Sequence, residues 1–170
     1  MYQLPTLLTW VLAFALTTTA APTTSDDDDY VTPLPLIIWH GLGDSYASEG
    51  MIQVGDLASS INPGTFVYNI QLGASAAEDQ RATFFGNLTT QLEQVCADLA
   101  EHPILSTAPA VDALGFSQGG QFLRAYVQRC NFPPVRSLVT FGSQHNGITK
   151  FQTCGPWTMA APSLIASIGF

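Results

Sequence analysis

No aspartate or glutamate follows Asp112 in this chain. All thirteen carboxylates lie at or before that position, and residues 113–170 carry none. A serine nucleophile in this last part therefore has no orienting acid downstream within these residues, where a Ser–acid–His order would need one. Basic residues are scarce as well. Five Lys and Arg stand against thirteen Asp and Glu, for a formal net charge of -8, which excludes the basic footprint of a nucleic-acid binder. Cysteine is rare and odd in number: Cys96, Cys130 and Cys154 allow one pair and leave one thiol. The cysteines show no metal-ligand spacing, and His40, His102 and His145 are scattered, so no zinc site and no cofactor is expected. There is also no apolar run of the ~20 residues that a membrane-spanning helix needs.

The longest apolar stretch near the start, Leu7 to Leu16, is followed by Thr17-Thr18-Thr19-Ala20-Ala21-Pro22. A short apolar run ending in small residues marks residues 1–21 as a secretory signal peptide, although no Lys or Arg precedes it. Asp26 to Asp29 make residues 22–32 a solvated, flexible acidic tail. Four consecutive side chains do not have the loop spacing of a calcium site. Charge is also divided along the chain. Residues 1–112 hold one base, Arg81, whereas residues 113–170 hold Arg124, Arg129, Arg136 and Lys150. Basic side chains at helix ends account for part of this. Because a domain usually mixes both signs over its surface, the preferred reading is that an acid-bearing C-terminal portion is absent.

What remains is one domain, residues 33–156, in which strand-like and helix-like segments alternate as in a parallel α/β sheet. Leu34–Trp39 is nearly all apolar, as expected of a strand buried on both faces. Met51–Ser60 predicts a short helix ending near Asn62-Pro63-Gly64, and Thr65–Ile70 a second strand. Leu88, Leu92, Val95 and Leu99 recur at helical intervals within one long predicted helix, Ala77–Glu101, which His102-Pro103 ends. A third strand, Ala110–Phe116, runs into a helix over Gln118–Arg129, with Phe122, Leu123, Tyr126 and Val127 toward the sheet; Val135–Phe141 is a fourth strand. Residues 157–170 are an atypical apolar tail.

The chemistry centres on Gly115-Phe116-Ser117-Gln118-Gly119. A G-x-S-x-G box between a strand and a helix is the setting of a nucleophile elbow. There Gly115 and Gly119 give room to a tight turn, and the helix N-terminus lies close to a developing oxyanion. His40-Gly41-Leu42-Gly43 follows the first strand, where esterases place a second backbone donor. The expected oxyanion hole is thus the N–H of Leu42 and of Gln118, with the His40 ring as a structural hydrogen-bonder rather than a base. His102 is read as a helix-end residue. Asp112 precedes the strand that leads to Ser117 and belongs at the opposite end of the sheet. Asn87-Leu88-Thr89 is an N-glycosylation sequon inside the long predicted helix.

Together, Pro35 to Ser45, Gly115 to Ala125 and Gln128-Arg129-Cys130 resemble the palmitoyl-protein thioesterase family. Gly142-Ser143-Gln144-His145-Asn146-Gly147 is similar to a stretch of the same family with one change. The likeness covers about Pro33 to Cys154. It implies an α/β-hydrolase fold, mostly parallel with helices on both faces, here partial, with C-terminal strands missing. It implies hydrolysis of long-chain fatty acyl thioesters on protein cysteines, with S-palmitoylated proteins or peptides as substrates, and a lysosomal, vacuolar or extracellular location. It also implies a Cys96–Cys130 disulfide and Ser117 as nucleophile. The family's triad Asp and His, and the insertion that forms its acyl groove, come from segments beyond this chain. Tyr46 and Ala47 stand where the family has adjacent cysteines, and Cys154 lacks its expected partner. Two alternatives stay open: a generic secreted esterase using a Ser117/His145 dyad, and a catalytically inactive truncated fragment.

Overall fold

Four β-branched and apolar runs become strands, which the computed structural model describes within residues 32–149. The expected signal peptide, most of the acidic tail, Cys154 and the apolar tail lie outside the described residues. Strands β1 (Leu36–Trp39), β2 (Val67–Asn69), β3 (Val111–Phe116) and β4 (Val135–Phe141) lie in the order β2-β1-β3-β4, every neighbouring pair parallel. Parallel strands need crossovers. Here these are α1 (Glu49–Ile61), then α2 (Ala76–Phe85) with α3 (Leu88–Glu101), and finally α4 (Gln118–Arg129).

Alternation along the strands sends neighbouring side chains to opposite faces. Ile37, Trp39, Val111 and Ala113 bury against Leu92, Val95 and Leu99 of α3 and Phe122, Leu123 and Tyr126 of α4, with Trp39 stacked on Phe122 at 4.6 Å. Tyr68 packs on this cluster, whereas the adjacent Val67 meets Gly55 of α1, so helices cover both faces. Val127 is exposed, contrary to expectation, because the buried stripe of α4 runs through Gly119, Gly120, Phe122, Leu123 and Tyr126. Among the described residues β4 is a sheet edge, with Val139 50% and Phe141 57% exposed on the face that α4 does not cover. No helix among the described residues is long and apolar enough to cross a membrane.

The single long helix expected over Ala77–Glu101 is two helices. α2 starts at Ser75, whose hydroxyl accepts from the Glu78 N–H, an S-x-x-E capping pattern, and it stops at Gly86. A Cβ on Gly86 would fall 1.7 Å from Gln91 Nε2, which instead donates to the Ala82 carbonyl at 2.7 Å. Asn87 then caps α3 by accepting from the Thr90 N–H at 3.1 Å. The heptad-like leucine pattern belongs to α3 only. The buried residues of α2, Asp79 and Thr83, are polar and leave no apolar period to read.

Cys96 of α3 and Cys130 at the end of α4 form a disulfide across 34 residues of sequence, as the family resemblance implied. Closing a loop of that length stabilises the fold by about 3–4 kcal/mol on a chain-entropy argument. Replacing both cysteines with serine should lower the unfolding free energy by that amount in a denaturant titration, with the slope m rising as the unfolded chain expands.

Candidate active site

Reversal of the strand order around β1 fixes where a site can form. The chain leaves β1 toward β2 and returns to β3 on its other side, so the loops after β1 and β3 meet at the carboxyl ends of adjacent strands. Ser117 sits there, directly after β3 and ahead of α4, with φ 50° and ψ -114°. A non-glycine residue rarely adopts a positive φ, and this strained turn is the backbone of a nucleophile elbow. The Ser117 N–H donates to the Phe141 carbonyl at 2.8 Å, tying the elbow to β4.

Glycines make the approach possible. A Cβ on Gly119 would fall 2.2 Å from the Trp39 carbonyl oxygen and 2.4 Å from that of His40. One on Gly115 would meet Gly120 Cα at 2.4 Å, so strand, helix and the loop after β1 touch backbone to backbone. Gly41 lies against Ser117, with its own Cβ position 3.3 Å from the Ser117 Cβ. Leu42 and Gln118, the two expected backbone donors, thus follow directly on residues in contact. Gln118 is the first residue of α4, whose N–H has no intrahelical acceptor.

The loop after β1 is gripped by α2. The His40 ring is 1% exposed. Its Nδ1 lies 3.1 Å from the Gly41 carbonyl and its Nε2 2.8 Å from Asp79 Oδ2. Asp79, with a fully buried side chain, also accepts from the Tyr46 N–H at 2.8 Å, the Gly73 N–H at 3.1 Å and the Leu72 N–H. Gln80 Nε2 donates to the Gly43 carbonyl at 2.6 Å, and the Gly43 N–H donates to Thr83 Oγ1 at 2.9 Å. Burial lowers the His40 pKa, but Asp79 and the Gly41 carbonyl outweigh it and hold the pKa above 6.5. Burial likewise raises that of Asp79, and His40 with the Leu72 and Tyr46 amides brings it below 3.8.

Among the described residues Gln144 reaches the serine: its Nε2 donates to Ser117 Oγ at 3.4 Å. An amide can orient a hydroxyl but cannot take its proton. His145, the histidine of the dyad alternative, has its Nε2 2.9 Å from Thr140 Oγ1. Asp112 pairs with Arg136, whose Nε lies 3.0 Å away, at the start of β3 and thus at the opposite end of the sheet, as expected. His102 caps the end of α3, but its Nδ1 also accepts from Ile104 and Leu105, and its ring packs on Phe66 and Tyr68. Asn87 is an exposed N-cap rather than a residue inside a helix. Among the described residues no cluster of three or more His, Cys, Asp or Glu side chains could hold a metal ion.

Sequence reasoning missed Asp79, Gln80, Thr83 and Gln144. The capping pattern Ser75-Ala76-Ala77-Glu78 and the Gly86-Asn87 break were the signals that could have separated α2 and drawn notice to its polar face.

A parallel α/β sheet with a serine elbow at its switch point defines a hydrolase-type architecture. The family model for palmitoyl protein thioesterase matches residues 35–168, and the chain belongs to that family. It is 39% identical over 135 residues to the palmitoyl-protein thioesterase-dolichyl pyrophosphate phosphatase fusion 1 of Schizosaccharomyces pombe, covering 79% of this chain and 21% of the fusion. It is 37% identical over 122 residues to palmitoyl-protein thioesterase 1 of Caenorhabditis elegans, covering 71% of this chain and 40% of that protein. Palmitoyl-protein thioesterase 3 of Dictyostelium discoideum is 26% identical over 113 residues, 66% of this chain and 36% of that protein. The chain therefore spans two fifths or less of the length of the curated relatives it matches.

The buried pair makes stability depend on pH from both sides. A folded-state His40 pKa above 6.5 contributes stability fully present below 6.5 and lost as pH rises through the raised value. An Asp79 pKa below 3.8 contributes stability present above 3.8 and lost as pH falls through the lowered value. The melting temperature of the wild type should therefore peak between these limits, and Asp79→Asn should flatten that peak in a thermal series from pH 3 to 9.

Proposed function

We propose that this chain carries the nucleophile and oxyanion hole of a palmitoyl-protein thioesterase, acting on long-chain acyl thioesters of protein cysteines. The observation that carries this reading is the strained Ser117 turn packed against the His40–Gly43 loop in a chain of this family. Ser117 Oγ attacks the thioester carbonyl, and the N–H groups of Leu42 and Gln118 hold the oxyanion. The C–S bond breaks, the thiolate leaves with the proton taken from Ser117, and water then hydrolyses the acyl-serine. The proton needs a general base that a carboxylate orients. With no Asp or Glu after Asp112, the orienting acid of the Ser–acid–His order is not among the 170 residues. Gln144, the side chain that touches Ser117 Oγ, serves to orient that hydroxyl.

The substrates we propose are S-palmitoylated proteins or peptides, met in the secretory pathway, in a lysosome or vacuole, or outside the cell. Support comes from the apolar leader Leu7 to Leu16 and from the Cys96–Cys130 bridge, a bond of oxidising compartments. Asn87 is exposed where a glycan would attach, its Oδ1 still free to cap α3.

The test joins residues 35–149 to the downstream part of the Caenorhabditis elegans relative and follows hydrolysis of a palmitoyl-cysteine thioester. The chimera should turn over, and Ser117→Ala within it should lose on the order of 10³-fold or more in kcat/KM. The 170-residue chain alone should retain only what nucleophile and oxyanion hole provide, roughly 10³-fold over water. Turnover surviving Ser117→Ala would overturn the assignment.

A further inference from the structure

Helix α2 is anomalous because its inward face is polar: Asp79 and Thr83 are its buried residues, and Gln80 beside them also bonds to the loop. Burying an unpaired carboxylate is strongly unfavourable, and even a paired one carries a desolvation penalty. Such a group is better explained by what it fixes than by what it adds to stability. Three backbone N–H groups donate to its two oxygens, and the His40 ring makes a close ion-pair contact with one of them. Oδ2 faces His40 Nε2 and the Tyr46 N–H, and Oδ1 accepts from the Leu72 and Gly73 N–H groups. The carboxylate thereby joins both ends of the His40–Tyr46 loop to the turn that precedes α2.

The His40 ring is equally constrained. Its Nδ1 faces a carbonyl oxygen and its Nε2 a carboxylate oxygen, and both partners only accept. A neutral imidazole donates from one nitrogen alone and would set the other against an acceptor; the imidazolium donates from both. The ring's hydrogen bond to Gly41 sits one residue before Leu42, whose N–H is the proposed oxyanion donor. The charged groups that face the ring are Asp79 from α2 and Asp44 from the loop itself. Thr83 and Gln80 hold Gly43 on the far side of Leu42, and Gln118 Nε2 reaches the Thr83 carbonyl at 3.5 Å, linking the second donor's residue to the same helix.

We propose that Asp79 is a positioning residue for acyl transfer: through a doubly protonated His40 it holds the Gly41–Asp44 backbone in the conformation that presents the Leu42 N–H to the oxyanion. The proposal rests on the thioesterase reading of Ser117. It makes His40 a fixed cation that takes no part in proton transfer, and α2 the element that preorganises the hole.

The test uses the 170-residue chain labelled with nitrogen-15, observed by NMR at pH 7. In the wild type both His40 ring nitrogens should carry protons. In Asp79→Asn, which removes the carboxylate charge beside the ring and leaves one acceptor oxygen for three N–H donors, His40 should become a neutral tautomer. The Gly43 and Asp44 amides, neither bonded to Asp79, should exchange at least tenfold faster, while amides of α4 change less than twofold. A His40 singly protonated in the wild type, or Gly43 and Asp44 exchange unchanged in Asp79→Asn, overturns the proposal. If Asp79→Asn does not fold, the wild-type ring protonation alone decides. Neither readout uses turnover, so a failed thioester assay on the chimera would count against the role of Ser117 and leave this result readable.

Discussion

The backbone contact between Gly119 and the end of β1 is the constraint on which the site depends. With carbonyl oxygens 2.2 and 2.4 Å from where a Cβ would sit, no side chain can separate α4 from the Trp39–His40 peptide. That contact aligns the N-terminus of α4 with the loop after β1, and Gly41 completes it by lying against Ser117. Topology brings the two loops together at the switch point between β1 and β3; the missing side chains let them touch. The strain at Ser117, φ 50°, is held by the Ser117 N–H bond to β4 on one side and by these glycines on the other.

Around this contact the molecule divides its labour between two helices. α4 is anchored by apolar burial of Phe122, Leu123 and Tyr126, and the Tyr126 hydroxyl donates to the Pro133 carbonyl at 2.8 Å. α2 is anchored by hydrogen bonds through Asp79, Gln80 and Thr83. Apolar packing tolerates small shifts, whereas charge-assisted bonds fix direction and distance. A polar grip therefore suits the loop after β1, whose backbone lies against Ser117, and an apolar one suits the helix that forms the floor of the site.

Much of this was legible in the sequence where apolar pattern and glycine spacing coincide. The bounds Gln118–Arg129 and Val135–Phe141 agree with α4 and β4, and the G-x-S-x-G box sits at a strand-to-helix turn. The division of residues 76–101 into two helices was hidden because the periodic leucines belong to α3, and the inward positions of α2 look like surface. His40 was legible as a structural hydrogen-bonder, yet its partner was not. Asp79 lies 39 positions away in sequence, and nothing local marks an aspartate as buried. Long-range polar pairs leave no periodic trace, and this site is built largely from them.

The central claim is that these residues present Ser117 as a nucleophile to an acyl thioester. Intact-protein mass spectrometry of residues 1–170 incubated with a palmitoyl thioester, followed by peptide mapping, addresses it most directly. The account predicts a palmitoyl adduct that forms slowly on the peptide containing Ser117 and is absent from Ser117→Ala. An adduct that forms equally on Ser117→Ala, or maps to another residue, would contradict it.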